Sequence, residues 1–174
     1  MASMYEQAQA DQKDAIDQTL HGVAGEFCVA CWYPDRDERE TAPYAVLYLR
    51  CEADFPDEWR AASPWSPWGV KQQILRGFVK VGPVGQERAL TDLVVDAVGR
   101  PQRCEDGWYA ALARHLDGPD LRSRLAEAEE SDDPVVRLRA GYVYRVLDDR
   151  SMKVTLASWK RWVASAEVPR GTAG

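Results

Sequence analysis

The stretch Asp132-Asp133-Pro134-Val135-Val136-Arg137-Leu138-Arg139-Ala140 marks the start of the clearest helix in the chain. An aspartate before Pro134 can accept hydrogen bonds from the N–H groups of the first turn, and the proline supplies a helical φ where no donor is needed. Apolar residues then recur at helical spacing in two adjacent rows: Val135, Leu138, Tyr142 and Val146, and Val136, Ala140, Val143 and Leu147. The pattern predicts a helix over residues 134–148 that is enclosed on most sides.

Residues 132–147 are also similar to the second helix of a HEAT repeat, whose start often reads Asp-Pro-x-Val-Arg. The resemblance covers this one helix. Because HEAT-like arrays bind other macromolecules along stacked helices, the resemblance implies interaction with a macromolecule and not catalysis.

Most of the chain after residue 69 has the same helical character. Breaks occur where Gly or Pro interrupts the pattern, as in Gly82-Pro83, Gly99-Arg100-Pro101 and Asp117-Gly118-Pro119. These breaks predict a helical layer over 70–167, with helices near 70–81, 84–98, 106–116, 119–130, 134–148 and 151–167. The tail 168–174 is expected to fray.

The first third of the chain reads differently. Residues 1–22 predict an acidic helix, and two aromatic and aliphatic runs, 26–33 and 44–53, predict strands joined by a charged loop. A Trp- and Pro-rich connector, 54–69, follows. The predicted fold is therefore α+β and predominantly helical, a single domain over 1–174 in which an N-terminal β-hairpin, 26–53, packs against about six C-terminal helices.

Size and charge limit the possible functions. The mass of 19.6 kDa suits one ordinary domain. The formal charge is −6, with 13 acidic and 4 basic residues in the first 59 positions, which argues against a protein built mainly to hold nucleic acid or anionic lipid. The acidic N-terminus lacks the apolar core of a secretory signal, and no apolar run is long enough to span a bilayer, so we expect a cytoplasmic protein that makes no membrane contact.

Two features of the first half predict a protein-binding surface. Trp59, Trp65 and Trp68 lie beside prolines in the connector, and such stiff aromatic segments can anchor a partner. The acidic loop residues Asp35, Asp37, Glu38 and Glu40 could steer a basic partner. The alternatives are that the indoles pin the connector by packing on the core and that the charges form a solvated surface.

Catalytic and metal-binding patterns are weak. Cys28 and Cys31 form a CxxC, but on a strand the two thiols would point to opposite faces, and Cys51 and Cys104 do not make a second pair. We therefore predict buried reduced thiols, no metal and no cofactor. His21 and His115 have no neighbouring triad pattern, and no phosphate-binding or dinucleotide-binding glycine motif is present, so we predict no catalytic residues.

These features favour a non-enzymatic protein that binds a protein partner, as an adaptor, inhibitor or immunity-type protein. The second hypothesis is a nucleic-acid-binding regulator in which the last two helices resemble a helix-turn-helix, with basic contacts from Arg150, Lys153, Lys160 and Arg161. The third is a small enzyme whose site is not visible in the sequence.

Overall fold

The computed structural model describes residues 20–33, 37–62 and 67–167. The predicted acidic helix lies almost entirely outside these residues, as do Asp35, Trp65 and the tail 168–174. The described residues form nine α-helices, one short 3-10 helix and no strand. In chain order they are α1 (Leu20–Ala30), α2 (Glu38–Asp54), α3 (Pro56–Ala62), α4 (Pro67–Val81), α5 (Glu87–Gly99), α6 (Gly107–Leu112), the 3-10 helix (Ala113–His115), α7 (Pro119–Glu129), α8 (Pro134–Asp148) and α9 (Leu156–Glu167).

The predicted β-hairpin is wrong, and with it the α+β class. The first run, 26–33, lies in the second half of α1 and the turn after it, and the second run, 44–53, lies within α2. From 24 to 33 the buried residues are Ala24, Phe27, Cys28, Ala30 and Cys31, and positions 24, 27, 28 and 31 have helical spacing. Because nearly every position from 27 to 33 is apolar, the same sequence also satisfies the short apolar run expected of a buried strand.

The charged loop predicted before the second strand is partly helical for a local reason. Asp37 is the N-cap of α2, and its side chain accepts a 2.9 Å hydrogen bond from the backbone N–H of Arg39. Glu38 and Glu40 occupy the first turn, where negative charge favours the helix dipole. These signals start a helix that continues through Pro43 to Asp54.

The chain divides into two compact units, Met1–Gln86 and Glu87–Gly174. In the first unit, α1 packs against α2 and α4, and the rings of Phe27 and Phe78 lie 4.3 Å apart at its centre. Gly77 on α4 permits this close approach, since a Cβ there would stand 2.9 Å from both Phe27 and the Cys31 sulfur. One ion pair is also buried, with Lys71 Nζ 3.2 Å from Glu52 Oε2 and both side chains fully inaccessible.

In the second unit, α8 packs against α5, α6, α7, α9 and the 3-10 helix. Its bounds match the predicted helix, and Asp133 is its N-cap, accepting a 2.8 Å hydrogen bond from the backbone N–H of Val135. Burial is concentrated in the second half of α8, from Ala140 to Leu147, whereas Val135 in the first turn is exposed. Within the described ranges, no helix has both the length and the hydropathy needed to cross a membrane.

Candidate binding surfaces

The outer row of α2 is defined as Tyr44, Leu47 and Cys51 of the helix together with Phe55, the residue that caps its C-terminal end. Among the described residues of the first unit, it is a row of apolar side chains that remain accessible. Tyr44, Leu47 and Phe55 are 48%, 49% and 60% exposed, and Cys51 is half-buried. At 100° per residue Tyr44, Leu47 and Cys51 fall within an arc of about 60°, and Phe55 follows at the C-cap. The inner face of the helix carries the buried residues Ala42, Ala45, Val46, Tyr48, Leu49 and Glu52. The outer row therefore projects away from the core that α2 helps to build.

Acidic side chains flank both ends of the outer row. Asp37 and Glu40 are exposed at the N-terminal end of α2, and Asp54 and Asp57 are exposed at the C-terminal end. Asp37 and Glu38 also have the local capping and dipole roles described above, and Asp57 pairs with Arg60 at 2.8 Å. Of the four predicted acidic partner residues, Asp37 and Glu40 thus lie at the N-terminal end of the outer row, whereas Glu38 lies on the opposite side of the helix.

The connector tryptophans have different surroundings. Trp59 is only 6% exposed and packs edge-on against Tyr48, at 5.4 Å, and Trp68, at 5.1 Å. Tyr48 in turn donates a 3.2 Å hydrogen bond to the carbonyl oxygen of Pro67. Burial of Trp59 favours the alternative that this indole pins the connector to the core. Trp59 is therefore not part of the proposed binding surface. Trp68 is half-buried.

Trp32 and Tyr33, which the sequence analysis did not single out, are 57% and 59% exposed directly after α1. The Lys80 ammonium lies 3.9 Å from the centre of the Trp32 ring and donates a 2.7 Å hydrogen bond to the carbonyl oxygen of Cys31. This contact supplies a cation to the C-terminal end of α1, where the last carbonyls need donors.

Cys28 of α1 and Cys31, in the turn that follows it, lie on one side and not on opposite faces as expected for a strand. The backbone N–H of Cys31 still donates to the carbonyl oxygen of Phe27 at 3.0 Å, which continues the helical spacing. Both thiols are buried. Burial raises the pKa of Cys28 to about 12 and that of Cys31 to about 11, so both are protonated near neutral pH. They act as small apolar side chains of the first unit's core. In the part of the chain that the structure describes, no three Cys, His, Asp or Glu side chains are grouped for a metal ion.

The predicted basic contacts belong to the second unit. Lys153, Lys160 and Arg161 are exposed, while Arg150 pairs with Asp117 at 3.2 Å. Residues 149–155 connect α8 to α9, which is longer than the three or four residues of the usual helix-turn-helix. The nucleic-acid hypothesis stays a prediction, and all four of its residues, Arg150 included, are exposed.

A pocket of about 480 Å³ opens in the second unit and was not predicted from the sequence. Its lining comes from α5, the loop before α6, α6 itself, α8 and the start of α9. The aromatic members of the lining are Trp108, Tyr109, Tyr142 and Trp159, and the charged members are Glu105, Asp106 and Arg139. His115 and Cys104 are not part of the lining.

Hydrogen bonds fix the aromatic wall of this pocket. Thr155 and Ser158 form a reciprocal cap at the start of α9, with Thr155 N donating to Ser158 Oγ at 2.9 Å and Ser158 N donating to Thr155 Oγ1 at 3.1 Å. The Tyr142 hydroxyl joins the same group, 2.8 Å from Ser158 Oγ. The Tyr142 and Trp159 rings then meet edge to face at 5.1 Å.

Comparison with known proteins gave no match to this chain, whether against protein-family models, curated proteins or solved structures.

Proposed function

We propose that this chain is a non-enzymatic binding protein that docks a protein partner through the outer row of α2. The observation that supports this role is the exposure of Tyr44 and Leu47 on α2, and of Phe55 at its C-cap, while the opposite face of the helix fills the core. Contiguous exposed apolar side chains with polar surroundings are typical of protein interaction sites.

The spacing of the outer row favours a particular mode of docking. Positions 44, 47 and 51 correspond to i, i+3 and i+7, the spacing at which a helix inserts anchors into an apolar groove, and Phe55 adds an apolar side chain at the end of the helix. Tyr44 and Phe55 supply large aromatic area with few rotatable bonds, which limits the entropy lost on binding. The partner is therefore expected to present an apolar groove about three helical turns long.

The charges around the outer row favour a basic rim on that partner. Asp37, Glu40, Asp54 and Asp57 are all exposed at the two ends of the row. Complementary charge at a rim accelerates association and is screened by salt. Binding should therefore weaken as the salt concentration rises, mainly through a slower association rate.

A capture experiment with matched variants tests the proposal. Full-length protein is immobilised and exposed to host lysate as the wild type, as Leu47→Asp and as Gln73→Asp. Gln73 is an exposed position of α4 outside the outer row. A protein retained stoichiometrically is then purified and titrated by calorimetry. We expect the wild type and Gln73→Asp to bind equally and Leu47→Asp to bind at least about tenfold more weakly, the effect of losing one desolvated anchor.

Three results would contradict the proposal. The first is that Leu47→Asp retains the same protein with unchanged affinity. The second is that no protein is retained stoichiometrically by the wild type. The third is that sedimentation velocity shows the wild type to self-associate and Leu47→Asp to be monomeric, since the outer row would then join two copies of this chain.

A further inference from the structure

We propose that the pocket of the second unit binds a small planar aromatic carboxylate, a ligand distinct from the protein partner of the outer row. The pocket volume of about 480 Å³ lies within the range of small-molecule sites, roughly 300–1,000 Å³. The proposal depends on three properties of the pocket: a rigid aromatic wall, an apolar floor and one guanidinium with unused donors.

The wall and floor suit a flat apolar ring system. Val94, Ala97 and Val98 of α5 form a floor in which all three side chains are buried. Tyr142 and Trp159 line the same pocket and are held by the cap of α9, so the aromatic rings are positioned before any ligand arrives. Trp162, one turn further along α9, donates a 2.8 Å hydrogen bond to the carbonyl oxygen of Leu138 and fixes α9 on α8. A preformed wall of this kind lowers the entropic cost of binding.

The loop before α6 completes the pocket with a constrained residue. Glu105 has a φ of 65°, in the left-handed region that residues other than glycine rarely adopt. Its carboxylate accepts a 3.1 Å hydrogen bond from Trp108 Nε1, so the constrained backbone and the indole are fixed together. Backbone strain of this kind is concentrated at functional sites.

The positive charge of Arg139 favours a carboxylate over a neutral ligand of the same planar aromatic shape. Arg139 lines the pocket, and among the described residues its side chain makes one hydrogen bond, from Nη1 to the carbonyl oxygen of Arg100. Nε and Nη2, which point to the same side of the guanidinium, are left to form a paired set of donors. Two parallel N–H donors match the two oxygens of a carboxylate.

The acidic residues of the lining are already engaged and do not compete for Arg139. Asp106 accepts hydrogen bonds from Arg100 Nη2 at 3.0 Å and from the backbone N–H of Arg103 at 2.7 Å. Glu105 accepts from Trp108 as described. The ligand carboxylate is therefore expected at the Arg139 side of the pocket, with its rings between the floor and the Tyr142–Trp159 wall.

Titration with 2-naphthoate tests this inference, with 2-naphthamide as the neutral probe of similar shape. The variants are Arg139→Met and, as a matched control, Arg145→Met. Arg145 is an exposed arginine on the same helix that does not line the pocket. We expect saturable quenching of tryptophan fluorescence by 2-naphthoate in the wild type and in Arg145→Met. In Arg139→Met, and for 2-naphthamide, binding should be about tenfold weaker or more, as for loss of a charge-assisted hydrogen bond.

Two further variants guard against misreading the result. Arg139→Lys keeps the charge without the paired donors and should bind more weakly than the wild type but better than Arg139→Met. Ala110→Met fills the pocket from α6 and should reduce the binding of both probes. Circular dichroism checks that each variant folds. The inference is overturned if 2-naphthoate does not saturate the wild type, if 2-naphthamide binds equally well, or if Arg139→Met and Arg145→Met bind alike.

Discussion

Helices α2 and α8 have similar lengths and similar shares of apolar residues, yet they use those residues differently. In α8 the apolar side chains of the second half are buried by neighbouring helices on several sides, and the residues left exposed are mostly charged. In α2 one face is buried while Tyr44 and Leu47 on the other are about half exposed. The apolar residues of α8 are explained by packing within the chain, whereas the outer row of α2 exceeds what its core requires. Surplus of this kind is the physical basis of the proposed binding role.

The largest expected effect comes from the charged pair under the inner face of α2. Lys71→Met leaves the Glu52 carboxylate buried without its cation, and removal of one partner of a buried pair costs about 3–5 kcal/mol. Urea unfolding should show this loss. The double variant Glu52→Leu/Lys71→Met removes both charges and should recover most of the stability. Equal stability of the single and double variants would show that the unpaired buried carboxylate is not the cause of the lost stability.

The next effect separates the two faces of α2 directly. Leu49 is fully buried and Leu47 is 49% exposed, two positions apart on one helix. Leu49→Ala should lower the free energy of unfolding by about 2–5 kcal/mol. Leu47→Ala should change it by about 0.5 kcal/mol or less. If the two variants were equally destabilising in urea, the outer row would be part of the core and the contrast with α8 would disappear.

Each unit has a glycine at a close helix contact. Substitution there should lower the free energy of unfolding by less than the two preceding changes. A Cβ at Gly77 would stand 2.9 Å from Cys31 and Phe27, and one at Gly141 of α8 would stand 3.0 Å from Trp162. Gly77→Ala should lose about 1–3 kcal/mol through overpacking. Gly141→Ala should lose less, because its Cβ would lie 3.0 Å from Trp162 and 3.2 Å from the end of the Glu129 side chain, contacts that a small shift relieves. The gain in helix propensity, up to about 1 kcal/mol, applies to both glycines. Gly25→Ala in α1, where nothing lies within 4 Å, should be stabilising in thermal denaturation.

The smallest effect concerns Asp117, at the start of α7 in the second unit. The hydrogen bond from Arg122 Nε, at 2.7 Å, together with Arg150 lowers the pKa of Asp117. A lowered folded-state pKa stabilises the protein above the unfolded value of about 4, and this contribution is lost as pH falls through the folded-state pKa. Asp117→Asn should therefore cost about 1 kcal/mol or less at pH 7. The difference from wild type should shrink as pH falls below about 4 and the Asp117 carboxylate is protonated, and a difference that does not shrink would exclude this linkage.

The helices of the second half were predictable because each boundary carries its own signal. Pro119 and Pro134 begin α7 and α8, and Gly99 ends α5. The start of α9 was placed too early at residue 151, because the Thr155–Ser158 cap that begins it at Leu156 lies beyond the Asp149–Ser151 turn.

The second strand of the hairpin was predicted in error because the sequence that forms the outer row is apolar on every side. Residues 44–49 read Tyr-Ala-Val-Leu-Tyr-Leu, apolar on every side, so neither a period of 2 nor one of 3.6 stands out. Only packing shows that Ala45 and Leu49 face inward while Tyr44 and Leu47 do not. The pocket was not predictable from the sequence, because its lining residues range from Val94 to Trp159. Local sequence patterns do not show which distant residues come together in space.

The most direct test of the account is photo-crosslinking in the host cells with benzoylphenylalanine at position 47 or, as control, at position 73. The account predicts a covalent adduct with one basic protein from position 47 and no such adduct from position 73. No adduct at position 47, or the same adducts from both positions, would contradict the claim that the outer row of α2 is a binding surface.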